Sequence, residues 1–138
     1  MPQENSHEQS LYQRLGGYDV IAAVIDDLFA RMRDDPEFAR FSVRSVDSRQ
    51  RARQLLVDQI CALAGGPCIY IGRDMKTSHA GLGITEEEWD ANLRHTEAAL
   101  KKNGVPEPEQ QEFLALFNRY KQDIVETPGK QVPAVAAP

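Results

Sequence analysis

Apolar residues recur along most of this chain at steps of three and four. Val20, Ile21, Val24, Ile25, Leu28, Phe29 and Met32 form one continuous stripe, the signature of a helix with one buried face. Gly16-Gly17 separates that helix from a short first turn around Leu11, Tyr12 and Leu15. Pro36 ends it or opens a new turn, with Phe38 and Phe41 just beyond. A second long helix is expected from Asp47 or Ser48, either a good N-cap, to Ala64, where "GGP" stops it. The next stretch, to about Thr85, is punctuated by glycine and mostly irregular, with room for one or two helical turns near His79.

A third long helix opens on a capping box, Thr85-Glu-Glu-Glu88, and carries Trp89, Leu93, Thr96 and Leu100 on one face. Gly104 follows its end. The last helix begins near Pro106 or Pro108 and presents Phe113, Leu114, Phe117, Tyr120 and Ile124. The run "PCIYIG" alternates like a strand but is short and isolated. The fold class expected is all-α. A polar start (1–9) and the proline-rich "TPGKQVPAVAAP" (127–138) are expected to be disordered tails around a single domain over 10–126.

Composition narrows the functions open to such a domain. The 138 residues are 41% hydrophobic and 27% charged, which suits one compact soluble domain with a real core. A net charge of −5 and a pI near 5.2, with no basic stripe, argue against nucleic acid as a partner. No run approaches the roughly 20 apolar residues of a membrane span, and the start lacks the apolar stretch of a secretory signal. Cys61 and Cys68 fit neither a disulfide framework nor a metal-ligand pair, so a reducing cytoplasm is the expected setting.

Candidate chemistry centres on "RDMKTSHAGLGIT". If 74–80 is helical, Met75 lies one turn before His79 on the same face, with Leu82 just past it. Apolar surroundings disfavour the imidazolium, and the neutral ring is the form that ligates transition metals. No second His, Cys or carboxylate stands where a zinc site would need it. The local residues leave two readings. His79 is a core histidine of a plain helix bundle, or it ligates a cofactor that brings its other ligands with it, of which haem is the main one.

The wider pattern resembles the truncated (two-over-two) globins, nearest to their first group. The resemblance runs from Leu11 to Val125 through Leu15-Gly16-Gly17, Gly65-Gly66-Pro67, Met75-Lys76-x-x-His79 and Gly81-x-Gly83-Ile84. It implies a two-over-two helical sandwich around non-covalent haem b, with His79 as the proximal iron ligand. By the same resemblance Met75, Ile84, Trp89 and Leu93 are apolar positions on the proximal side. Phe41 wedges against the haem face, and Phe38 and Phe29 line the distal side. Tyr70, Arg73 and Lys76 lie where propionates are met. His95 is read as a structural histidine.

Two departures bear on the distal side. Relatives of this group usually carry a tyrosine where this chain has Phe29. The stretch from Ser42 to Ala64 is also about two residues longer than the usual pattern, so the distal position falls on Gln54 or on Leu56. Helical spacing points Ala52, Leu56 and Ile60 inward, which leaves an apolar pocket unless Gln59 or Gln54 turns in. No histidine lies between 50 and 60 to give a second axial imidazole.

The function the resemblance implies is reversible binding of a diatomic gas (oxygen, carbon monoxide or nitric oxide) by a monomer or weak homo-oligomer. A haem enzyme for nitric oxide dioxygenation or peroxide chemistry is the alternative. It would need a separate reductase, since no nucleotide-binding glycine fingerprint is present. A cofactor-free helical adaptor is the third reading. Loss of one buried donor weakens a polar ligand's binding by roughly 1–3 kcal/mol. With Phe29 in place of tyrosine, faster oxygen release and faster oxidation to ferric haem than in tyrosine-bearing relatives are expected, and stopped-flow dissociation kinetics check this.

Overall fold

The computed structural model describes residues 9–41 and 46–126; the two stretches expected to be disordered tails lie outside them, residue 9 excepted. Among the described residues, seven α-helices and one 3-10 helix follow in order. They are α1 (Leu11–Leu15), α2 (Tyr18–Arg33), the 3-10 helix Pro36–Phe41, α3 (Val46–Leu63), α4 (Met75–His79), α5 (Glu86–Lys102), α6 (Glu107–Asn118) and α7 (Lys121–Ile124). The described residues contain no strand, and none of their helices is long and apolar enough to cross a membrane.

Local chemistry explains the boundaries. α1 starts on a capping box, Ser10 with Gln13, and ends at Gly16, whose φ of 110° is the left-handed conformation that lets the chain turn straight into α2. α5 starts on the expected capping box. Glu88 N–H donates to Thr85 Oγ1 at 3.0 Å, and Thr85 N–H donates to Glu88 Oε1 at 3.0 Å. Three glutamates in its first turn and two lysines in its last complement the helix dipole.

The predicted stripes meet in one core. Ile21, Ile25, Val57, Leu100 and Phe113 are fully buried where α2, α3, α5 and α6 touch. α2 pairs with α3 and crosses α5, while α6 packs on α5 and α1, giving two helix pairs stacked on each other. Arg14 of α1 reaches Glu109 and Glu112 of α6 at 3.0 and 2.6 Å, and Tyr12 N–H donates to Ala64 O at 2.8 Å. The first helix thereby bridges both layers.

Two expectations need correction. The last helix is two helices: α6 stops at Asn118, and Tyr120 N–H turns to Phe117 O at 2.9 Å, so Tyr120 and Ile124 swing onto a separate turn, α7. "PCIYIG", read as short and isolated, forms no strand; Ile69 and Ile71 stand 77% and 72% exposed on either side of half-buried Tyr70.

The second correction is covalent. Cys61 and Cys68 form a disulfide, against the expectation of free thiols, and the support those thiols lent to a reducing compartment goes with it. After α3, Gly65 (φ 93°) and Gly66 reverse the chain and return Cys68 over the helix end, with the Cα atoms 5.7 Å apart. Gly66 has no room for a side chain there, since a Cβ would lie 2.4 Å from Tyr12 Cδ1 and 2.8 Å from Cys61 Sγ. Counting cysteines could not reveal a pair made by one tight reversal. Cys68→Ser is expected to lower unfolding stability by about 2.5 kcal/mol, from the entropy of so short a closed loop; guanidinium denaturation of oxidised wild type and variant measures it.

Candidate functional site

The stacked pairs do not close on each other everywhere. A cavity of about 1460 Å3 lies between α2, the 3-10 helix and α3 on one side and α4 to α7 on the other. That exceeds the roughly 300–1,000 Å3 of ordinary small-molecule pockets. Twelve sequence-predicted residues line it: Phe29, Phe38, Phe41, Gln54, Leu56, Ile60, Tyr70, Arg73, Met75, His79, Ile84 and Trp89.

Two do not. Lys76 is exposed, because the face of α4 that carries Met75 and His79 to the cavity turns the next residue outward. Leu93 is half-buried outside the lining; α5 presents Glu88, Trp89 and Asn92 instead. The sequence reading also passed over Met32, Asn92, Leu116, Phe117, Tyr120 and Ile124. The apolar stripe of the last segment marked three of these, Phe117, Tyr120 and Ile124, as buried, but only the break before α7 shows that they face a cavity rather than a helix.

His79 is half-buried, and its Nδ1 lies 3.0 Å from Met75 O and 2.9 Å from Ser78 Oγ. A carbonyl oxygen only accepts, so Nδ1 carries the proton of the neutral ring and Nε2 keeps its lone pair. A metal-ligating imidazole is oriented in this way. Among the described residues no three His, Cys, Asp or Glu side chains come together as a site for a bare ion.

The opposite wall is mostly hydrocarbon. Gln54 is exposed and its amide is spent: Nε2 donates to Tyr18 Oη at 2.8 Å and to Asp58 Oδ1 at 3.0 Å, while Oε1 accepts from Arg53 at 3.2 Å. Gln59 lines the cavity, is 8% exposed, and makes no side-chain hydrogen bond to any described residue. His95 lies outside the lining. Its Nε2 is 2.7 Å from Asp35 Oδ2, and its ring packs on Phe38 with centroids 5.9 Å apart.

Arg40 holds the corner of the site. It meets Glu88 through two bonds of 2.7 and 2.9 Å, donates to Leu82 O and Gly83 O at 2.8 and 3.2 Å, and covers the Phe41 ring at 4.1 Å. The 3-10 helix is thereby tied to the loop that follows His79. At the rim, the Tyr70 hydroxyl donates to Arg73 O, and burial raises the Tyr70 pKa.

An all-α fold of two stacked helix pairs, opened around one histidine, defines a globin. The chain's residues 10–126 match the bacterial-like globin family, and the chain belongs to the truncated haemoglobins of that family. It is 31% identical over 105 residues to the Group 1 truncated hemoglobin GlbN of Mycolicibacterium paratuberculosis, covering 76% of each chain. Among solved structures it resembles the truncated hemoglobin of Tetrahymena pyriformis, Fe(III) form, with a TM-score of 0.78 and 24% identity over 86% of this chain and 100% of that one. The 2/2 hemoglobin from Synechococcus sp. PCC 7002, in the cyanomet state with covalently attached heme, superposes with a TM-score of 0.75 and 22% identity over 85% and 98%.

Burial pushes the Glu88 carboxyl up, but Arg40 and the Thr85 amide more than offset this and hold it below its ordinary value of 4.5. A pKa lowered on folding contributes stability that is present above that ordinary value and is lost as pH falls through the folded one. Glu88→Gln keeps the capping box and removes the ion pair. Because Arg40 is half-exposed, it is expected to cost about 1 kcal/mol at neutral pH and to flatten the decline of Tm below pH 4.5. Calorimetry across that range checks both.

Proposed function

We propose that this chain binds haem b non-covalently in the cavity and uses it to bind a diatomic gas reversibly. The observation that carries the reading is the 3.0 Å contact of His79 Nδ1 with Met75 O, which by the acceptor-only chemistry of a carbonyl places the neutral ring's proton on Nδ1 and leaves Nε2 as a free ligand in a large, mostly apolar cavity. Bound there, haem would supply the iron and the open coordination position at which a gas is taken up. A single protein imidazole suits a cofactor that brings its remaining ligands.

The chain's own groups divide the other tasks. Phe29, Phe38, Leu56 and Ile60 exclude water from the wall opposite His79. Arg73, exposed at the rim without an ion pair to any described residue, is placed to neutralise a propionate. Lys76, outside the lining, is left out of that role. Attachment is read as non-covalent because, among the described residues, no cysteine and no second histidine lines the cavity. Cys61 is paired with Cys68, and His95 with Asp35.

On the gas side, Gln59 rather than Gln54 is the donor. Gln59 lies in the cavity lining with its amide meeting no described partner, so that amide is free to donate to a polar ligand there. Gln54 has both ends of its amide occupied elsewhere.

The test is spectroscopic and kinetic. Haem added to the purified protein should give a strong Soret band that His79→Ala weakens or shifts. Gln59→Leu is expected to speed oxygen release about tenfold, with carbon monoxide less affected and Gln54→Ala without effect. Absence of the Soret band in wild type would sink the haem reading, and an unchanged oxygen rate in Gln59→Leu would sink the donor assignment.

A further inference from the structure

The helix that carries His79 cannot hold its own position. α4 has five residues, makes no side-chain N-cap bond at Asp74, and ends at Ala80 in extended conformation. A single helical turn is unstable alone, so the placement of the turn that carries the imidazole must be imposed from outside.

The loop that follows supplies the constraint. Gly81 and Gly83 both lie in the left-handed region, at φ 83° and 64°, with open space where a Cβ would be; these glycines serve the backbone conformation, not a close contact. That conformation turns their two N–H groups toward one carboxylate. Gly81 N–H donates to Glu126 Oε2 at 2.9 Å and Gly83 N–H to Glu126 Oε1 at 2.7 Å. Glu126 N–H in turn donates to Ile84 O at 2.9 Å. From the other side Arg40 takes the carbonyls of Leu82 and Gly83. The loop is gripped by an anion at its amides and a cation at its carbonyls, which opposes rotation of its peptide planes. Glu126 is brought there by α7, whose buried Ile124 lines the same cavity.

We infer that Glu126 is a positioning residue for His79: its carboxylate, by holding the Gly81 and Gly83 amides, sets the orientation in which the imidazole meets the haem iron. The inference rests on the haem reading above. It adds a role for the end of the globin domain, forty-seven positions beyond the ligand, that acts through a loop and touches neither haem nor gas. The two amides keep the Glu126 carboxyl ionised to a lower pH than an ordinary glutamate.

Full-length wild type, Glu126→Gln and Glu126→Ala test it with two readouts. The first is hydrogen–deuterium exchange at the Gly81 and Gly83 amides without haem. Glu126→Ala should speed both about tenfold or more, the scale of a lost charged hydrogen bond. Glu126→Gln, which keeps one acceptor oxygen and the side-chain shape, should speed them less. The second is the iron–histidine stretching band of the ferrous haem-loaded protein in resonance Raman spectra. It should fall in frequency and broaden in both variants, more so in Glu126→Ala.

Unchanged exchange in both variants overturns the clamp. Faster exchange with an unchanged Raman band overturns the positioning role while leaving the haem reading intact. A wild-type protein with no such band overturns both. Should Glu126→Ala not fold, Glu126→Gln alone decides, since it retains the packing.

Discussion

A chain of 138 residues that keeps about 1460 Å3 open inside itself cannot rely on one continuous core. Apolar side chains facing that space have few partners across it, so they contribute little of the dispersion energy that dense interiors supply. The packing that remains has to be concentrated. It is, at the junction of α2, α3, α5 and α6, where Ile21, Ile25, Val57, Leu100 and Phe113 are buried completely. The far wall, built from α4, α7 and the loop between α4 and α5, belongs to no such junction. Directional bonds hold it instead: Arg40 to Glu88 and two carbonyls, and Glu126 to two amides.

This division of labour shapes the chemistry. Rigid helix packing carries the wall with Phe29, Leu56 and Gln59, while His79 rides on one helical turn fixed through polar contacts. In so apolar a space each remaining polar atom counts for more than it would in water. The Met75 carbonyl selects the tautomer of His79, and Gln59 keeps an amide that nothing described satisfies. The cavity is thus asymmetric, with a lone pair on one side and, on the other, a mostly hydrocarbon wall in which the Gln59 amide meets no described partner.

Much of this architecture was legible before any coordinates. The helices announced themselves because their stripes, caps and glycines are local: Val20 to Met32 marks α2, and Thr85 with Glu88 marks the start of α5. Twelve of the fourteen proposed site residues line one cavity, and it was the resemblance to the truncated globins, more than any local periodicity, that named them. Lys76 and Leu93 miss it by a rotation of one residue, a margin that periodicity alone does not resolve. The cysteine pair escaped for a different reason. It depends on a reversal at Gly65 and Gly66 against Tyr12, and Tyr12 is remote in sequence.

By itself, then, the sequence determined the helical elements and their buried faces, since each follows from neighbours within a turn or two. Only the tertiary structure decided which glutamine is free. Gln54 and Gln59 are chemically alike and five positions apart, yet Tyr18 and Asp58 consume the first while nothing described meets the second. Only the tertiary structure joined Glu126 and Arg40 to opposite edges of the loop after His79. Hydrogen bonds between segments forty or more residues apart depend on where packed helices deliver their ends, and no local pattern encodes that.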